Sequence, residues 1–321
     1  MSFTDAELYA HCDEIITDPA IRNRIVVLCE GNTKPFKSTE RAKSIKEVAE
    51  ETQDSSFYYR AVPEWWKTTR KREPSFYVCG SQSNVIKAYF YLKQKHQQQP
   101  QNSYLNFNKL FALLDIDLQK TKIPNDYPFK TLEAIYHKLY LNGKVNPDTA
   151  NNHKIWVTGL LHKEAYFLIP EIKELFNNYQ PEPLFYNQLF KLEDAYQVIL
   201  KTMSSHADIE NNFDKAMKRI AYCGLFKHCK SIEEFQKTWQ NSFDNSKTEE
   251  ERINLIYILL TVIKSKSVWE EIEPNGGDKD IKNYRDELCF EIARYFYAKQ
   301  PRTRESPHHL SSFFNALSTT A

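Results

Sequence analysis

Four short apolar runs lie in the first half of the chain, and they are continuous rather than alternating with polar residues. They cover residues 24–31, 75–80, 109–117 and 153–160. Strands that are buried on both faces have this pattern. Helix-like segments lie between them, so we predict an α/β fold with a parallel central sheet and right-handed crossovers.

Three segments between these runs have helical spacing. They are 38–52, 83–96 and 126–143. Ser83 is a candidate N-cap for the second segment, because serine accepts hydrogen bonds from the free N–H groups of a first turn. Gly143 is a candidate C′ residue for the third segment, because glycine readily adopts the left-handed conformation found there.

The second half of the chain has a different pattern. After the proline-rich stretch at 179–183 the strand signals stop, and only helical periodicity follows. The predicted helices are 185–204, 209–226, 231–242, 247–272 and 279–299. We therefore predict an α/β domain over 1–178 and an all-helical domain over 184–321. Residues 254–265 are apolar almost all round, which is typical of a core helix or of a homodimer face.

Composition limits the class of protein. Hydrophobic residues make up 41% and charged residues 26%, as in folded globular proteins. With 43 basic and 42 acidic residues the net charge is +1, so any nucleic-acid surface must be local. Six cysteines without a CxxC pair, and no signal-peptide pattern, indicate a reducing cytoplasmic environment. No apolar run approaches the ~18 residues of a membrane span.

Carboxylates follow three of the four apolar runs. Glu30 ends the first, Asp115 and Asp117 end the third, and Glu164 lies just beyond the fourth. The carboxyl ends of parallel strands meet at one edge of the sheet, where ligands bind. Like charges gathered there repel one another unless a cation lies between them, and oxygen ligands favour Mg²⁺ or Mn²⁺.

These motifs resemble the TOPRIM domain of topoisomerases, primases and OLD-family nucleases. The matching features are Glu30-Gly31 after the first strand, Gly80 after the second and Asp115-x-Asp117 after the third. The later segment HKEAYFL is similar to the H-x-x-E-N-Y-L segment of bacterial TOPRIM nucleases, with Ala165 in place of asparagine. The resemblance covers about residues 20–175. It extends to stand-alone TOPRIM effectors of bacterial anti-phage systems, such as the effector of the PARIS system.

The resemblance implies a Rossmann-like TOPRIM domain that works as a metal-dependent endonuclease on DNA or on RNA, including tRNA. It implies that Glu30 is a metal ligand or general acid/base, that Asp115 and Asp117 hold Mg²⁺ and take part in catalysis, and that Glu164 completes a site for one or two ions. It also implies a toxic effector controlled by an ABC-type ATPase, since the chain has no P-loop of its own. The long stretch between Glu30 and Asp115 implies an insertion at about 54–74.

Further residues are candidates for contact with phosphate or nucleic acid. They are Gly31, Lys34, Arg70, Lys71, Arg72, Gly80, Ser81, Ser83 and Lys163. Glycine allows close backbone approach to a phosphate, and hydroxyls and lysines bind its oxygens. The basic segment 58–73 also contains Trp65 and Trp66, whose indoles could stack on unpaired bases.

Simpler interpretations remain open beside these. Asp115 and Asp117 could cap a helix or lie in a solvated turn, and Glu30 could be a strand-end carboxylate without a task. A tryptophan pair more often belongs to a core or to a partner contact, and a basic run is usually a solvated surface. At the level of function, the alternatives are an inactive TOPRIM-fold scaffold that binds a partner, or a protein that senses a nucleotide without cutting.

Overall fold

The structure is a computed structural model that describes residues 3–31, 53–68, 73–119, 121–124, 127–276, 280–298 and 309–320. The whole helix predicted over 38–52 lies outside this part of the chain. The same holds for Lys34, Arg70, Lys71 and Arg72, so their predicted phosphate contacts stay predictions.

The centre of the fold is a four-stranded parallel sheet. The strands of the described part are β1 Val26–Cys29, β2 Ser75–Val78, β3 Leu110–Ile116, β4 Tyr140–Leu141, β5 Lys144–Val145, β6 Ile155–Leu161, β7 Pro183–Phe185, β8 Gln188–Leu189 and β9 Ile272–Pro274. The central sheet has the order β2-β1-β3-β6, and each neighbouring pair is parallel. All four apolar runs form its strands, which are almost wholly buried. The predicted α/β class and parallel sheet are confirmed.

Helices surround this sheet. Those described are α1 Asp5–Thr17, α2 Gln53–Arg60, α3 Glu64–Thr68, α4 Gln82–Gln98, α5 Leu132–Leu139, α6 Pro147–Ala150, α7 Lys173–Asn178, α8 Leu192–Thr202, α9 Ala207–Glu210, α10 Phe213–Arg219, α11 Ile232–Asp244, α12 Glu249–Val262, α13 Lys266–Trp269, α14 Ile281–Tyr297 and α15 His309–Thr320. α4 packs on β1 and β3, and α1 packs on α4. None of the helices in these residues is both long and apolar enough to cross a membrane.

Two helices show how the sequence sets their starts. α1 begins with a capping box, in which the N–H of Glu7 donates to the Thr4 hydroxyl and the N–H of Thr4 donates to the Glu7 carboxylate. Thr248 and Glu251 form the same arrangement at the start of α12. Every residue of α12 from Leu255 to Val262 is buried, which confirms the core role predicted for this segment.

The C-terminal region is helical but not all-helical, so that part of the prediction is wrong. β7, β8 and β9 form a small antiparallel sheet in the order β8-β7-β9. Tyr186 and Asn187, with φ of 50° and 61°, make the two-residue turn between β7 and β8. The predicted helix 185–204 begins only at Leu192 because this hairpin occupies its first residues.

Gly143 also has a different role from the predicted one. α5 ends at Leu139, and Asn142-Gly143 forms the turn of the β4–β5 hairpin with φ of 52° and 73°. Two successive positive φ angles are the requirement of a type I′ hairpin turn, for which Asn-Gly is the preferred pair. The glycine therefore serves a hairpin rather than the end of a helix.

The C-terminal helices pack against the sheet. α12 and α15 contact β6, and α14 contacts α2. Buried side chains from both halves of the chain belong to one continuous hydrophobic cluster. The closest approach is at Gly159 of β6, where an added β-carbon would lie 1.3 Å from Nδ1 of His309. Only glycine leaves room there for the imidazole ring.

Candidate active site

The first site feature is the meeting of two strand ends. β2 pairs with one edge of β1 and β3 pairs with the other edge. The direction in which successive strands are laid down across the sheet therefore reverses between β1 and β3. Open parallel sheets bind ligands at such a switch point. Glu30 follows β1 and Asp115 is the penultimate residue of β3. The backbone N–H of Asp115 donates a hydrogen bond of 2.8 Å to Oε1 of Glu30.

A cavity of about 710 Å³ opens at this point. Its lining includes seven of the residues predicted from sequence, namely Glu30, Gly31, Gly80, Ser81, Asp115, Lys163 and Glu164. The cavity therefore joins three of the four predicted carboxylates with four of the predicted phosphate contacts. Asp117 and Ser83 are not among the lining residues.

The carboxylates of the cavity oppose one another's ionisation. Burial, followed by the negative charge of Glu164, raises the pKa of Asp115 to about 7. Burial and the negative charge of Asp115 raise the pKa of Glu30 well above its ordinary range. These are the effects expected for acidic groups that share a desolvated site. A cation placed among them would favour their ionised forms.

Asp117 lies to one side of this group. It follows the last residue of β3, and its Oδ1 accepts a hydrogen bond of 2.6 Å from the N–H of Leu118. The same oxygen is 3.4 Å from Nζ of Lys264 and 3.7 Å from Nε2 of His162. Its predicted roles in metal binding and catalysis stay predictions.

A β-bulge brings the end of β6 to the cavity. Leu114 pairs with Val157 but Ile116 pairs with Leu161, so β6 carries two extra residues. The hydroxyl of Thr158 accepts from the N–H of Ile116 and donates to the carbonyl of Leu160, both at 2.9 Å.

The segment after the bulge supplies three lining residues. Tyr166 fixes the bulge from below, since its hydroxyl accepts from the N–H of Gly159 at 3.0 Å. His162, Lys163 and Glu164 follow the bulge and line the cavity. Lys163 and Glu164 belong to a 3₁₀ helix, Lys163–Leu168. The first three residues of the segment that resembles a nuclease motif therefore line the cavity.

His162 has a conformation that is rare for a residue with a side chain. Its φ is 66° and its ψ is 161°, a region populated mainly by glycine and costing on the order of 1–3 kcal/mol. Nε2 is buried and has no hydrogen bond within the described residues. Burial lowers the pKa of this imidazole, so the neutral form predominates. His162 was not predicted as a site residue, although it lies in the segment HKE.

Tyr58 is a second residue of the cavity that was not predicted as a site residue. It lies in α2, within the predicted insertion, and lines the cavity. Its hydroxyl is 3.5 Å from Oδ1 of Asp115, to which it donates. Burial raises the pKa of Tyr58 well above its ordinary value, so the phenol remains a proton donor.

The tryptophans of the same segment have another role. Trp66 is fully buried and Trp65 packs against the core. The interpretation in which Trp66 stacks on nucleic-acid bases is therefore wrong, and the core interpretation applies to it.

The backbone near Gly80 forms the third side of the site. Gly80 has a φ of 93°, which favours glycine, and its carbonyl accepts from the N–H of Gly31 at 3.0 Å. Ser81, rather than the predicted Ser83, is the N-cap of α4, and the two hydroxyls are 3.0 Å apart. The free N–H groups of a helix start favour anions, which is consistent with the predicted phosphate contact.

The remaining wall comes from the C-terminal region. It consists of Lys264, Lys266, Trp269, Glu270, Lys282, Arg285 and Asp286. These residues lie far along the chain from the strand ends, and none of them was predicted as a site residue. They reach the cavity because α12 packs against β6 of the sheet and α14 packs against α2.

The donor set suits a magnesium or manganese ion in its chemistry. Glu30, Asp115 and Glu164 offer carboxylate oxygens, and the raised pKa values of Glu30 and Asp115 show that negative charge is unfavourable without a counter-ion. In the part of the chain that is described, no three His, Cys, Asp or Glu side chains are already arranged around a common ion position. The metal assignment is accordingly a proposal.

Comparison with known proteins adds no family assignment. The chain matches no protein-family model, no curated protein and no solved structure.

Proposed function

We propose that this chain is a Mg²⁺- or Mn²⁺-dependent phosphodiesterase of the TOPRIM type that cleaves nucleic acid. The observation that supports it best is the hydrogen-bonded pair of Glu30 and Asp115 at the switch point, with Glu164 in the same cavity. Carboxylates in this arrangement suit a divalent ion, and the adjoining lysines and helix start suit a phosphate.

Glu30, Asp115 and Glu164 would hold the ion. When bound, a divalent ion neutralises phosphate charge and helps to orient the attacking and leaving oxygens. The chain itself contributes proton transfer and positioning. As the alternative to ligating the ion, Glu30 would take a proton from the attacking water or donate one to the leaving oxygen. The Tyr58 hydroxyl holds Asp115 in place from the buried side.

The biological role proposed here is that of a toxic effector held in check by a partner. The support is the resemblance to stand-alone TOPRIM effectors, together with the lack of a P-loop in the sequence. An ABC-type ATPase would then supply the regulatory nucleotide hydrolysis. This role rests on analogy in sequence motifs, whereas the chemistry rests on the cavity.

The test compares isosteric variants of the carboxylates. Purified wild type, Glu30→Gln and Asp115→Asn are incubated with labelled RNA and DNA in Mg²⁺, Mn²⁺ or EDTA. Glu291→Gln serves as a matched control, because Glu291 lies on α14 away from the cavity and pairs with Arg294. We expect metal-dependent cleavage by the wild type and the control, and at least about a hundredfold loss in the two site variants.

Two results would contradict the proposal. One is cleavage by Glu30→Gln and Asp115→Asn at the wild-type rate. The other is tight binding of a nucleotide by the wild type without cleavage of any substrate in either metal, which would favour the sensing alternative. Induced expression in cells, with RNA and DNA profiled for wild type and Glu30→Gln, extends the test to toxicity.

A further inference from the structure

The cavity has a second group of charged lining residues besides those at the strand ends. It carries four cations from the C-terminal region: Lys264, Lys266, Lys282 and Arg285. A phosphodiester strand has a negative charge at each linkage, so one bound phosphate brings its neighbours close to the adjoining surface. A cation without a carboxylate partner is best suited to bind that neighbouring phosphate.

Two of the four already have anionic partners. Nζ of Lys264 is 2.5 Å from Oδ2 of Asp208 and also contacts Asp117. Nζ of Lys266 is 3.8 Å from Oε1 of Glu270. The charge of Lys264 is therefore compensated within the fold, and Lys266 has an exposed carboxylate beside it.

Lys282 and Arg285 differ from these. They lie one turn apart on α14, so they share one face of the helix. Within the described residues, neither has a carboxylate at ion-pair distance. Arg285 is held instead by neutral groups, since its Nε donates to the carbonyl of Ile272 at 2.7 Å and its Nη2 donates to the carbonyl of Glu270.

This anchoring orients the guanidinium without cancelling its charge. A guanidinium has five N–H donors, and the two carbonyls use two of them. The remaining donors have the fork geometry that binds phosphate oxygens, and little rotamer entropy is left to lose. Arg285 is thus a fixed cation on the cavity wall.

The charge balance of the cavity also favours a ligand with more than one negative charge. Its lining has five carboxylates, Glu30, Asp115, Glu164, Glu270 and Asp286. It has five lysine and arginine side chains, Lys163, Lys264, Lys266, Lys282 and Arg285. A divalent ion at the strand ends would leave a net positive cavity. A ligand with two or more negative charges restores the balance.

We propose that Lys282 and Arg285 bind a second phosphate of the substrate, adjacent to the phosphate at Glu30 and Asp115. This inference rests on the proposed function and specifies its substrate class. The substrate is single-stranded nucleic acid with at least two consecutive phosphates. A cavity of about 710 Å³ has the size of a site for a ligand of one or two nucleotides, which suits a single strand better than a duplex.

The experiment measures binding without turnover. Fluorescence anisotropy of labelled single-stranded RNA and DNA oligonucleotides is recorded in EDTA for wild type, Lys282→Gln, Arg285→Gln and Arg294→Gln. Arg294 is the matched control, because it lies on the same helix but is exposed and paired with Glu291. Lys282→Gln is the safer of the two site variants, because the Lys282 side chain is exposed and holds no carbonyl in place.

We expect each site variant to bind about five- to twentyfold more weakly at low salt, and the control to stay within about twofold. The slope of log affinity against log salt should fall by about 0.7 for each variant, the value for one lost phosphate contact on a single strand. A dinucleotide with two phosphates should compete far better than a mononucleotide with one. RNA and DNA probes identify the sugar that the site accepts.

The inference is overturned if Lys282→Gln binds with wild-type affinity and salt slope. It is also overturned if a mononucleotide competes as well as the dinucleotide, or if duplex competes as well as single strand. Because these titrations need neither metal nor cleavage, their failure is distinguishable from failure of the proposed nuclease activity. If the protein cleaves nucleic acid but both site variants bind as the wild type does, the proposed nuclease activity stands and the second phosphate site is excluded.

Discussion

Oε1 of Glu30 accepts a 2.8 Å hydrogen bond from the backbone N–H of Asp115, so the ends of β1 and β3 are joined through a side chain. The bond holds the Glu30 carboxyl against the backbone of Asp115, and burial and neighbouring negative charges oppose the ionisation of both carboxyl groups. The two groups are therefore expected to respond together to pH and to cations.

The first prediction concerns the stability of the metal-free protein. Asp115 has an ordinary pKa of 3.8 and a folded-state pKa of about 7. A carboxyl with a raised pKa stabilises the fold while protonated, so this contribution is complete below 3.8 and is lost as the pH rises through about 7. Asp115→Asn imitates the protonated form. In EDTA at pH 8 it should exceed the wild type in free energy of unfolding by on the order of 1–3 kcal/mol.

Urea denaturation at pH 5 and pH 8 measures this difference. The advantage of Asp115→Asn should shrink at pH 5, and excess Mg²⁺ at pH 8 should stabilise the wild type but not the variant. Glu291→Gln keeps Asp115, so the difference in stability between this control and the wild type should be the same at pH 5 and pH 8. A variant less stable than the wild type at pH 8 would be incompatible with the electrostatic account.

The second prediction concerns Tyr58. Tyr58→Phe removes the hydroxyl that donates to Asp115 but keeps the buried ring. This hydrogen bond lowers the pKa of Asp115, so its loss should raise that pKa further. We expect about tenfold slower cleavage and an acidic limb of the pH–rate profile that moves to higher pH. The control is Tyr186→Phe in the exposed β7–β8 turn, and an unmoved acidic limb would show that Tyr58 only fills space.

The third prediction concerns the ion pair between Glu133 and Arg219. Arg219 donates to both carboxylate oxygens, at 3.0 and 2.8 Å, and to the carbonyl of Asp117 at 2.6 Å. Its side chain is fully buried. Burial by itself would raise the pKa of Glu133, but the bonds from His137 and Arg219 and the charges of Arg219 and Lys215 lower it to about 2.

A lowered pKa gives stability that is present above the ordinary value of 4.5 and is lost as the pH falls through about 2. Glu133→Gln leaves a buried guanidinium without its counter-ion, so we expect a loss of about 2–4 kcal/mol at pH 7. Acid titration of unfolding should show a flatter profile for the variant. Glu291→Gln breaks an exposed pair and should cost less than about 1 kcal/mol. Equal losses in the two variants would contradict the buried character of the Glu133 pair.

The fourth prediction concerns the contact between Gly159 and His309. Gly159→Ala places a methyl group inside the imidazole, so α15 must shift, at a cost of about 1–3 kcal/mol. His309→Ala loses packing but makes room for that methyl. A double-mutant cycle in urea should therefore give a coupling of at least about 1 kcal/mol. Strict additivity would mean that α15 does not rest on the bulge.

Some of the site could be predicted from sequence, because the polarity of parallel strands puts the residues that follow them at one edge of the sheet. Continuous apolar runs define parallel strands, and their carboxyl ends must meet, which brought Glu30 near Asp115. The bulge at Thr158 could not be predicted, since it depends on pairing between strands. Arg285 could not be predicted either, because helix packing rather than spacing brings it to the cavity. The Asn142-Gly143 turn is different, since its sequence signal was present and was outweighed by helical periodicity.

The cavity draws some of its lining from the strand ends and the rest from seven residues between Lys264 and Asp286, with some hundred residues of chain between the two groups. A fragment that stops at the α/β half would carry the acids and lack the cations that face them. Grafting that half onto another protein, or exchanging the C-terminal half by recombination, would therefore give an incomplete pocket. A pocket of this kind would stay whole only if both halves were inherited together.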